Sequence, residues 1–488
     1  MKTEKLNSFI KIDLLILFLI LVAALVLRIY KIDTPLADLH SWRQADTSAV
    51  TRNYTRTGID FLHPQYDDIS NQQSGIDNPH GYRFVEFPFY NAIVAFTFRI
   101  FPVMSIEMYG RLISGLFSLL SIIAIYYLAL KESGRITAIS GSLVFAIFPF
   151  FVFFSRVILP EPTATALAMT SILFLYLSLT KNGPIKKNVF FILSILTFAL
   201  SMLVKPPTIF YGIPLLYLFI SHHKFSIFKK IPVYFFFLLA GLPLLAWRLY
   251  IRNYPEGIPP SDWLFASVNT YEGLKNIFLR PAFFRWIFFE RINNIMMGGY
   301  LAFFFVLGII SKQKRIFLHM VLLAAFVYLF VFEGGNVQHE YYQTIVLPPF
   351  ALFVGLGIAF IIKQAKSFVH PILLYPVVIS CILLSLFFSY YRVQEYYTFP
   401  AELPPIAKIV NTLTTPEDRI ITDRSGDTTL LYLIDRKGSP GIYKDIWEMK
   451  QLGYTHLVTL HKDLADQLKE DVRYTVLFEN DKFSLFKL

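Results

Sequence analysis

IDLLILFLILVAALVLRI, residues 12–29, carries one carboxylate and one guanidinium in an otherwise apolar run. A helix needs roughly 20 such residues to cross the hydrocarbon core of a bilayer, and this run is of that order. It lacks a small-residue cleavage site, so it reads as an anchor and not as a removed signal peptide. Ten further apolar runs follow, at about 107–130, 136–154, 162–180, 189–204, 208–221, 232–250, 294–310, 316–332, 343–362 and 371–390. The reading is an all-α polytopic membrane protein of about eleven spans. Composition agrees: 55% of the 488 residues are hydrophobic and 17% aromatic, too apolar for a soluble chain of this length. The single cysteine, Cys381, excludes an intrachain disulfide.

The formal net charge of +11 is distributed as a topology signal. Basic residues sit in alternate loops: Lys2, Lys5 and Lys11; Lys131 and Arg135; Lys181, Lys186 and Lys187; Lys224, Lys229 and Lys230; Lys312, Lys314 and Arg315; Lys363 and Lys366. Those loops face the cytoplasm by the positive-inside rule. This accounts for much of the basic excess and leaves no nucleic-acid patch. The outward side then holds a long first loop at 31–105 and a second at 251–293. In the second, NYPEGIPPSDW (253–263) reads as irregular chain. Residues 272–292 read as an interface helix, with Arg280, Arg285 and Arg291 in the polar layer. Residues 1–390 form the membrane domain. Residues 391–488 turn soluble in composition. RIITDR (419–424), HLVTL (456–460) and FSLFKL (483–488) read as strands, and 446–453 and 462–470 as helices, giving a small α/β domain.

Chemistry-bearing residues gather on the outward side. HSWRQADTSAVTRNY (40–54) reads as a helix. At about 100° per residue, Trp42, Ala45, Asp46, Ala49 and Asn53 share one face and Gln44, Thr47, Ser48 and Thr51 the opposite one. Asp46 is either a surface carboxylate or a general base; Asp38, just before the helix, suits a cap. In RFVEFPFYNAI (83–93), Glu86 enters an aromatic stretch and needs a partner, with Arg83 three residues away. In FSRVILPEPTATA (154–166), Glu161 lies between Pro160 and Pro162, which suits the first turn of a helix, and Arg156 is a candidate partner. Lys205, in SMLVKPPTIF (201–210), is a lone cation at a span end, snorkelling or facing an anionic headgroup. FEGGNVQHEYYQTIVLPPF (332–350) packs Glu333, Asn336, Gln338, His339, Glu340, Tyr341 and Tyr342 into one short connection. No metal cluster has ligand spacing, and no Walker loop, GxGxxG or GxSxG is present. His222 and His223 fall in a lysine-bearing loop and read as structural.

These motifs resemble the GT-C fold of polytopic lipid-linked sugar transferases, nearest to the family of the protein O-mannosyltransferases and the lipid A aminoarabinose transferase. HEYYQTIVLPPF (339–350) and EFPFY (86–90) carry the resemblance, which covers roughly residues 10–390. One departure is plain. The family has adjacent Asp-Glu near the start of the first-loop helix, where this chain reads Arg43-Gln44 or Ala45-Asp46.

The resemblance implies an inverting glycosyltransferase of a prokaryotic plasma membrane, with its site and C-terminal domain extracytoplasmic. A polyprenyl-phosphate sugar is the donor and a hydroxyl of a lipid, glycan or protein the acceptor. Asp46 and Glu86 are the expected catalytic carboxylates, Asp46 as the base. Lys205, His339, Tyr341 and Tyr342 are the expected phosphate-binding set, and Arg43, Arg83, Arg156, Glu161 and Glu340 are further site candidates. No cofactor follows from the residues, although a divalent cation is compatible with the acids. The alternative from another class is a transporter or flippase for a lipid-linked or anionic substrate. Transporters carry their polar residues near the midplane in repeated halves; here they lie at span ends and no repeat is visible. A transferase-like chain without activity is a third reading, motivated by the missing Asp-Glu pair.

Overall fold

The computed structural model describes residues 2–181, 183–260, 280–367 and 369–488. The chain folds as two compact units that do not follow chain order. One takes residues 1–30, 111–246 and 261–395; the other takes residues 31–110, 247–260 and 396–488.

The first unit is helical. Among the described residues, seven helices are long and apolar enough to cross a membrane, or eight if one bent pair counts as a span. Seven of the eleven expected spans correspond to these, and the other four take another form. The expected 136–154 span is broken: one helix covers Arg135–Ile147 and a second begins at Pro149. Pro149 has no N–H to return to Phe145 O. Arg28 supplies the donors instead, at 3.1 Å to Phe145 O and 3.0 Å to Ala146 O. The 208–221 run opens as a 3-10 turn over Pro206–Tyr211 before a 12-residue helix, Gly212–His223. The 316–332 run is a 15-residue helix, Phe317–Val331. At 294–310 the chain bends by 117° between Pro281–Met296 and Leu301–Ile310, where Gly298 and Gly299 take positive φ. The expected interface helix is found from Pro281 onward, wound as a π-helix over Arg285–Met296; its part at 272–279 lies outside the described residues. Arg291 is not in a polar layer but 3% exposed, because it is held by a carboxylate described below.

The Leu347–Ala365 helix is the packing centre of this unit. A Cβ on Gly357 would lie 1.7 Å from Phe304 O, and one on Gly355 would lie 2.5 Å from Gly141 N. Backbones that close require glycine, the small-residue packing common between membrane helices.

The second unit is built on a five-stranded sheet: β1 (Ile420–Ile421), β2 (Gly438–Ser439), β3 (His456–Thr459), β4 (Thr475–Glu479) and β5 (Ser484–Lys487), in the order β2-β1-β3-β5-β4. The first three strands run parallel and the last two pairings are antiparallel. Side chains alternate across a strand, so the sheet has two cores. Ile420, Val458 and Leu485 face one, with the Leu403–Leu413 helix; Ile421, Leu457 and Phe486 face the other, with Met449 and Leu468. The first loop enters both, through Ala37 and Ile69. It also covers the free edge of β2: Gly438 N donates to Asp67 O and Ile69 N to Gly438 O, both at 2.9 Å. The expected strands and helices of the C-terminal region are present. β2, β4 and the helices Leu403–Leu413 and Thr429–Ile434 were not expected. β2 is two residues of Gly-Ser, and β4 has no alternating burial, so neither carries a period-2 signal.

Candidate functional site

In the second unit, the helix Ser41–Thr57 carries the first group of side chains. It packs against the Phe89–Ile100 helix on one side and Thr429–Ile434 on another. Residues 43–52 are all buried, polar ones included, so Asp46 is not a surface carboxylate. Asn91 Nδ2 donates to Thr47 O at 2.6 Å, tying the two helices. Asp38 does not cap the helix. The preceding residue is His40 in left-handed geometry with no side-chain cap bond, and Asp38 instead accepts from Gln44 Nε2 at 2.8 Å.

Two ion pairs cross. Arg43 Nη2 lies 2.5 and 2.6 Å from the two oxygens of Glu86, and Arg83 Nη2 lies 2.7 Å from Asp46 Oδ2. The Arg83–Glu86 pairing suggested by their spacing gives way to these longer-range partners. Asp46 Oδ1 accepts from Thr428 Oγ1 at 2.7 Å, and the same hydroxyl lies 3.0 Å from Trp42 O. Burial pushes the Asp46 carboxyl up, against the fields of Arg83 and Arg43. The Asp46 side chain is 0% exposed and that of Glu86 11%.

A second carboxylate belongs to this environment. Asp68 is fully buried, accepts from Ser70 N (2.8 Å) and Ser70 Oγ (2.6 Å), and takes the Tyr66 hydroxyl at 3.3 Å. Burial pushes its carboxyl up to about 6, and the charge on Asp46 adds to that. Arg83 lies over the Tyr66 ring at 5.0 Å. Asp67, its neighbour, is held by Arg52 at 2.5 Å; Arg52 also reaches Tyr432 O at 2.7 Å and Asp435 at 3.1 Å. The adjacent acids Asp67-Asp68 were a visible signal that sequence reasoning passed over. Thr428 carried none.

In the first unit, the remaining candidates form a separate group. Glu161 stands in the first turn of the Pro160–Thr180 helix, as its flanking prolines suggest. Its partner is Lys205, Nζ to Oε1 2.6 Å, with both residues buried. Lys205 is therefore not a lone cation, and Arg156 is not the cation bonded to Glu161. Nζ of Lys205 also lies 5.4 Å from the Tyr342 ring centre. The rings of His339, Tyr341 and Tyr342 stack, with centroids 5.3 Å apart for His339–Tyr341 and 4.8 Å for Tyr341–Tyr342. Glu340 is held by Arg291 at 2.5 Å. Gln343 Nε2 donates to Asn336 O at 2.7 Å, and Tyr328 donates to Tyr342 O at 2.9 Å, fixing this connection. Arg156 is buried with its guanidinium 5.9 Å from the Phe153 ring centre.

The acids do not suit a divalent cation as arranged. Both Asp46 oxygens already face Arg83 and Thr428, and among the described residues no group of three or more His, Cys, Asp or Glu could hold a metal.

Residues 79–249 match the model of the dolichyl-phosphate-mannose-protein mannosyltransferase family. No curated protein sequence matches the chain. Among solved structures, ArnT from Cupriavidus metallidurans bound to undecaprenyl phosphate is similar at a TM-score of 0.66 and 14% identity, over 100% of this chain and 98% of that one. The oligosaccharyltransferase of Archaeoglobus fulgidus, tethered to an acceptor peptide, is similar at 0.60 and 12%, over 92% and 69%. The mycobacterial arabinofuranosyltransferase AftD is similar at 0.61 and 14%, over 96% and 41%. At these identities the likeness is one of fold.

Proposed function

We propose that this polytopic chain, whose fold is that of the GT-C glycosyltransferases, moves a sugar from a polyprenyl-phosphate donor to an acceptor hydroxyl, with inversion. The reaction breaks the bond between the anomeric carbon and the lipid phosphate. The acceptor oxygen forms the new bond from the opposite face, and its proton passes to a carboxylate. The lipid phosphate leaves as an anion, so a fixed cation in a low-dielectric setting lowers the barrier where charge develops.

The observation that carries the reading is the crossed pairing of Arg43 with Glu86 and of Arg83 with Asp46. It presents one carboxylate and withdraws the other. Glu86 keeps 11% of its side chain exposed, so we give it the acceptor proton. Asp46, with none exposed, holds Arg83 in place. Arg43 restrains Glu86 to one orientation by meeting both of its oxygens. In the other group, Lys205 is proposed to meet the donor phosphate. Its Nζ lies 2.6 Å from Glu161 Oε1, which fixes the ammonium in a buried setting. His339, Tyr341 and Tyr342 are proposed as the walls and hydroxyl donors of that group, with Arg156 as a further cation. We further propose that the chemistry lies on the outer face of a prokaryotic plasma membrane, an orientation that the basic residues of alternate loops support.

The test is release of polyprenyl phosphate from a labelled lipid-linked sugar by purified protein. Glu86→Gln abolishes transfer while the protein still inserts, although it melts below the parent because the pair with Arg43 is broken; full activity in that variant removes Glu86 as the base. Reporter fusions after residues 183 and 337 report opposite sides of the membrane; matching sides overturn the orientation.

A further inference from the structure

The sheet order β2-β1-β3 places β1 between two parallel neighbours that follow it in the chain. The chain leaves β1 towards one side and returns to β3 on the other. At such a reversal of strand order the loops at the carboxyl ends of β1 and β3 diverge, and open α/β sheets bind ligands in the crevice so formed. Here those loops carry matched polar groups. Asp423, just past β1, receives Thr459 Oγ1 and His461 Nδ1 on the same oxygen, Oδ2, each at 2.7 Å. Its other oxygen takes no donor among the described residues. His461 is 66% exposed at the ring and leaves Nε2 outward of that bond. Arg424 and Ser425 complete the β1 loop.

The same loop is held in an uncommon backbone shape. Asp423 and Ser425 have φ of 32° and 50°, and neither is glycine. Side chains in that region cost free energy, and such costs collect where a ligand or a mechanism fixes the geometry. The loop is also connected to the crossed ion pairs. Five residues beyond Asp423, Thr428 donates to Asp46, and Thr429 Oγ1 lies 2.8 Å from Ser41 Oγ at the start of the same helix. A surface Asp–His pair alone needs none of this: neither the reversal of strand order, nor the strained loop, nor its attachment to Asp46.

We propose that the crevice at the ends of β1 and β3 binds a sugar ring of the acceptor. The second oxygen of Asp423, the exposed imidazole of His461 on the facing loop, and Arg424 and Ser425 beside Asp423 match the alternating donors and acceptors of sugar hydroxyls. No group of acids and histidines there has the geometry for a metal. The assignment rests on the transferase reading and adds to it the acceptor class, a glycan or glycolipid whose sugar is read by the sheet domain.

The experiment uses the full chain in detergent on a glycan array, with Asp423→Asn, His461→Ala and Arg424→Ser variants whose melting matches the parent. The parent binds one or more glycans, and the variants lose at least tenfold in affinity. In transfer assays with the bound glycan as acceptor, the same variants raise acceptor KM about tenfold and leave kcat and the slow release of polyprenyl phosphate to water unchanged. Absence of any glycan binding by the parent overturns the proposal, as does binding that all three variants keep. If glycans bind through these residues but no lipid-linked donor is ever turned over, the transferase reading fails and the crevice stands.

Discussion

The hydroxyl of Thr428 donates to the Asp46 carboxylate at 2.7 Å across 382 residues of chain. A buried carboxylate needs compensation for its charge, and this one draws it from two places distant from each other in the chain, the guanidinium of Arg83 in the first loop and the hydroxyl of Thr428 in the sheet domain. Thr428→Val keeps the shape and removes the donor. It costs about 1–3 kcal/mol, the usual loss when a buried acceptor goes unsatisfied. Thr428→Ser keeps the hydroxyl and most of the stability. Thermal melting of both variants checks the difference; a valine variant that melts with the parent removes this contact from the account.

The Arg43–Glu86 pair is nearly closed off from water, so its halves are unequal to loss. Arg43→Met takes from the nearly buried Glu86 carboxylate the guanidinium that meets both its oxygens, destabilising by about 3–5 kcal/mol and suppressing transfer. The exchange Arg43→Glu with Glu86→Arg restores melting towards the parent but not transfer, because the carboxylate then stands on the wrong element. Recovery of transfer in the exchanged protein would show that Glu86 acts only through its pairing.

Glu161 and Lys205 form the corresponding pair of the helical unit, both buried. Glu161→Gln removes the carboxylate 2.6 Å from the buried Lys205 ammonium and costs about 3–5 kcal/mol. Adding Lys205→Met to that variant recovers a large part of the loss, since neither charge then remains. A double-mutant cycle on melting reads the coupling. Losses that simply add would mean that the two groups stabilise the unit independently.

Asp68 gives the second unit an acid-favoured contribution. Burial holds its carboxyl at about 6 in the folded protein, above its ordinary value of 3.8. Between those values the folded chain binds more protons than the unfolded one. The contribution is therefore full below pH 4 and lost as pH rises through 6, a change of about 3 kcal/mol. Asp68→Asn removes that slope. Melting temperatures from pH 4 to 7, parent against variant, are the measurement, and parallel curves would exclude Asp68 as the source.

Gly357 meets Phe304 O so closely that a Cβ there would sit 1.7 Å from it. Gly357→Val forces the Leu301–Ile310 and Leu347–Ala365 helices apart and abolishes accumulation of folded protein in the membrane. Normal yield and melting would show that the helices slide at little cost.

The membrane character was legible because spans announce themselves by length and composition, and Glu161, Lys205, Asp46 and Glu86 were legible as charges in apolar or small-residue company. Their partners were not. Arg83 is three residues from Glu86 yet serves Asp46, since the loop from Tyr66 to Gly81 folds back and brings Arg83 N to Pro64 O at 2.9 Å. Three runs that matched a span in composition are broken because prolines or paired glycines interrupt the backbone, and hydropathy averages over them, while the fourth is an unbroken helix of only 15 residues, Phe317–Val331. Thr428 had no local signature at all, since its meaning comes wholly from a helix near the other end of the chain.

The edge contact of Asp67–Ile69 with Gly438 also has a temporal meaning. During synthesis the first loop emerges well before its strand partner and the Thr428 hydroxyl, which follows Asp46 by 382 residues. Until they arrive, the Ser41–Thr57 helix must wait with its carboxylate incompletely bonded and its neighbouring backbone unpaired. The polar centre of this unit is thus completed only once residues 428–438 are made, and a truncation upstream of residue 428 removes both a donor to Asp46 and the edge pairing.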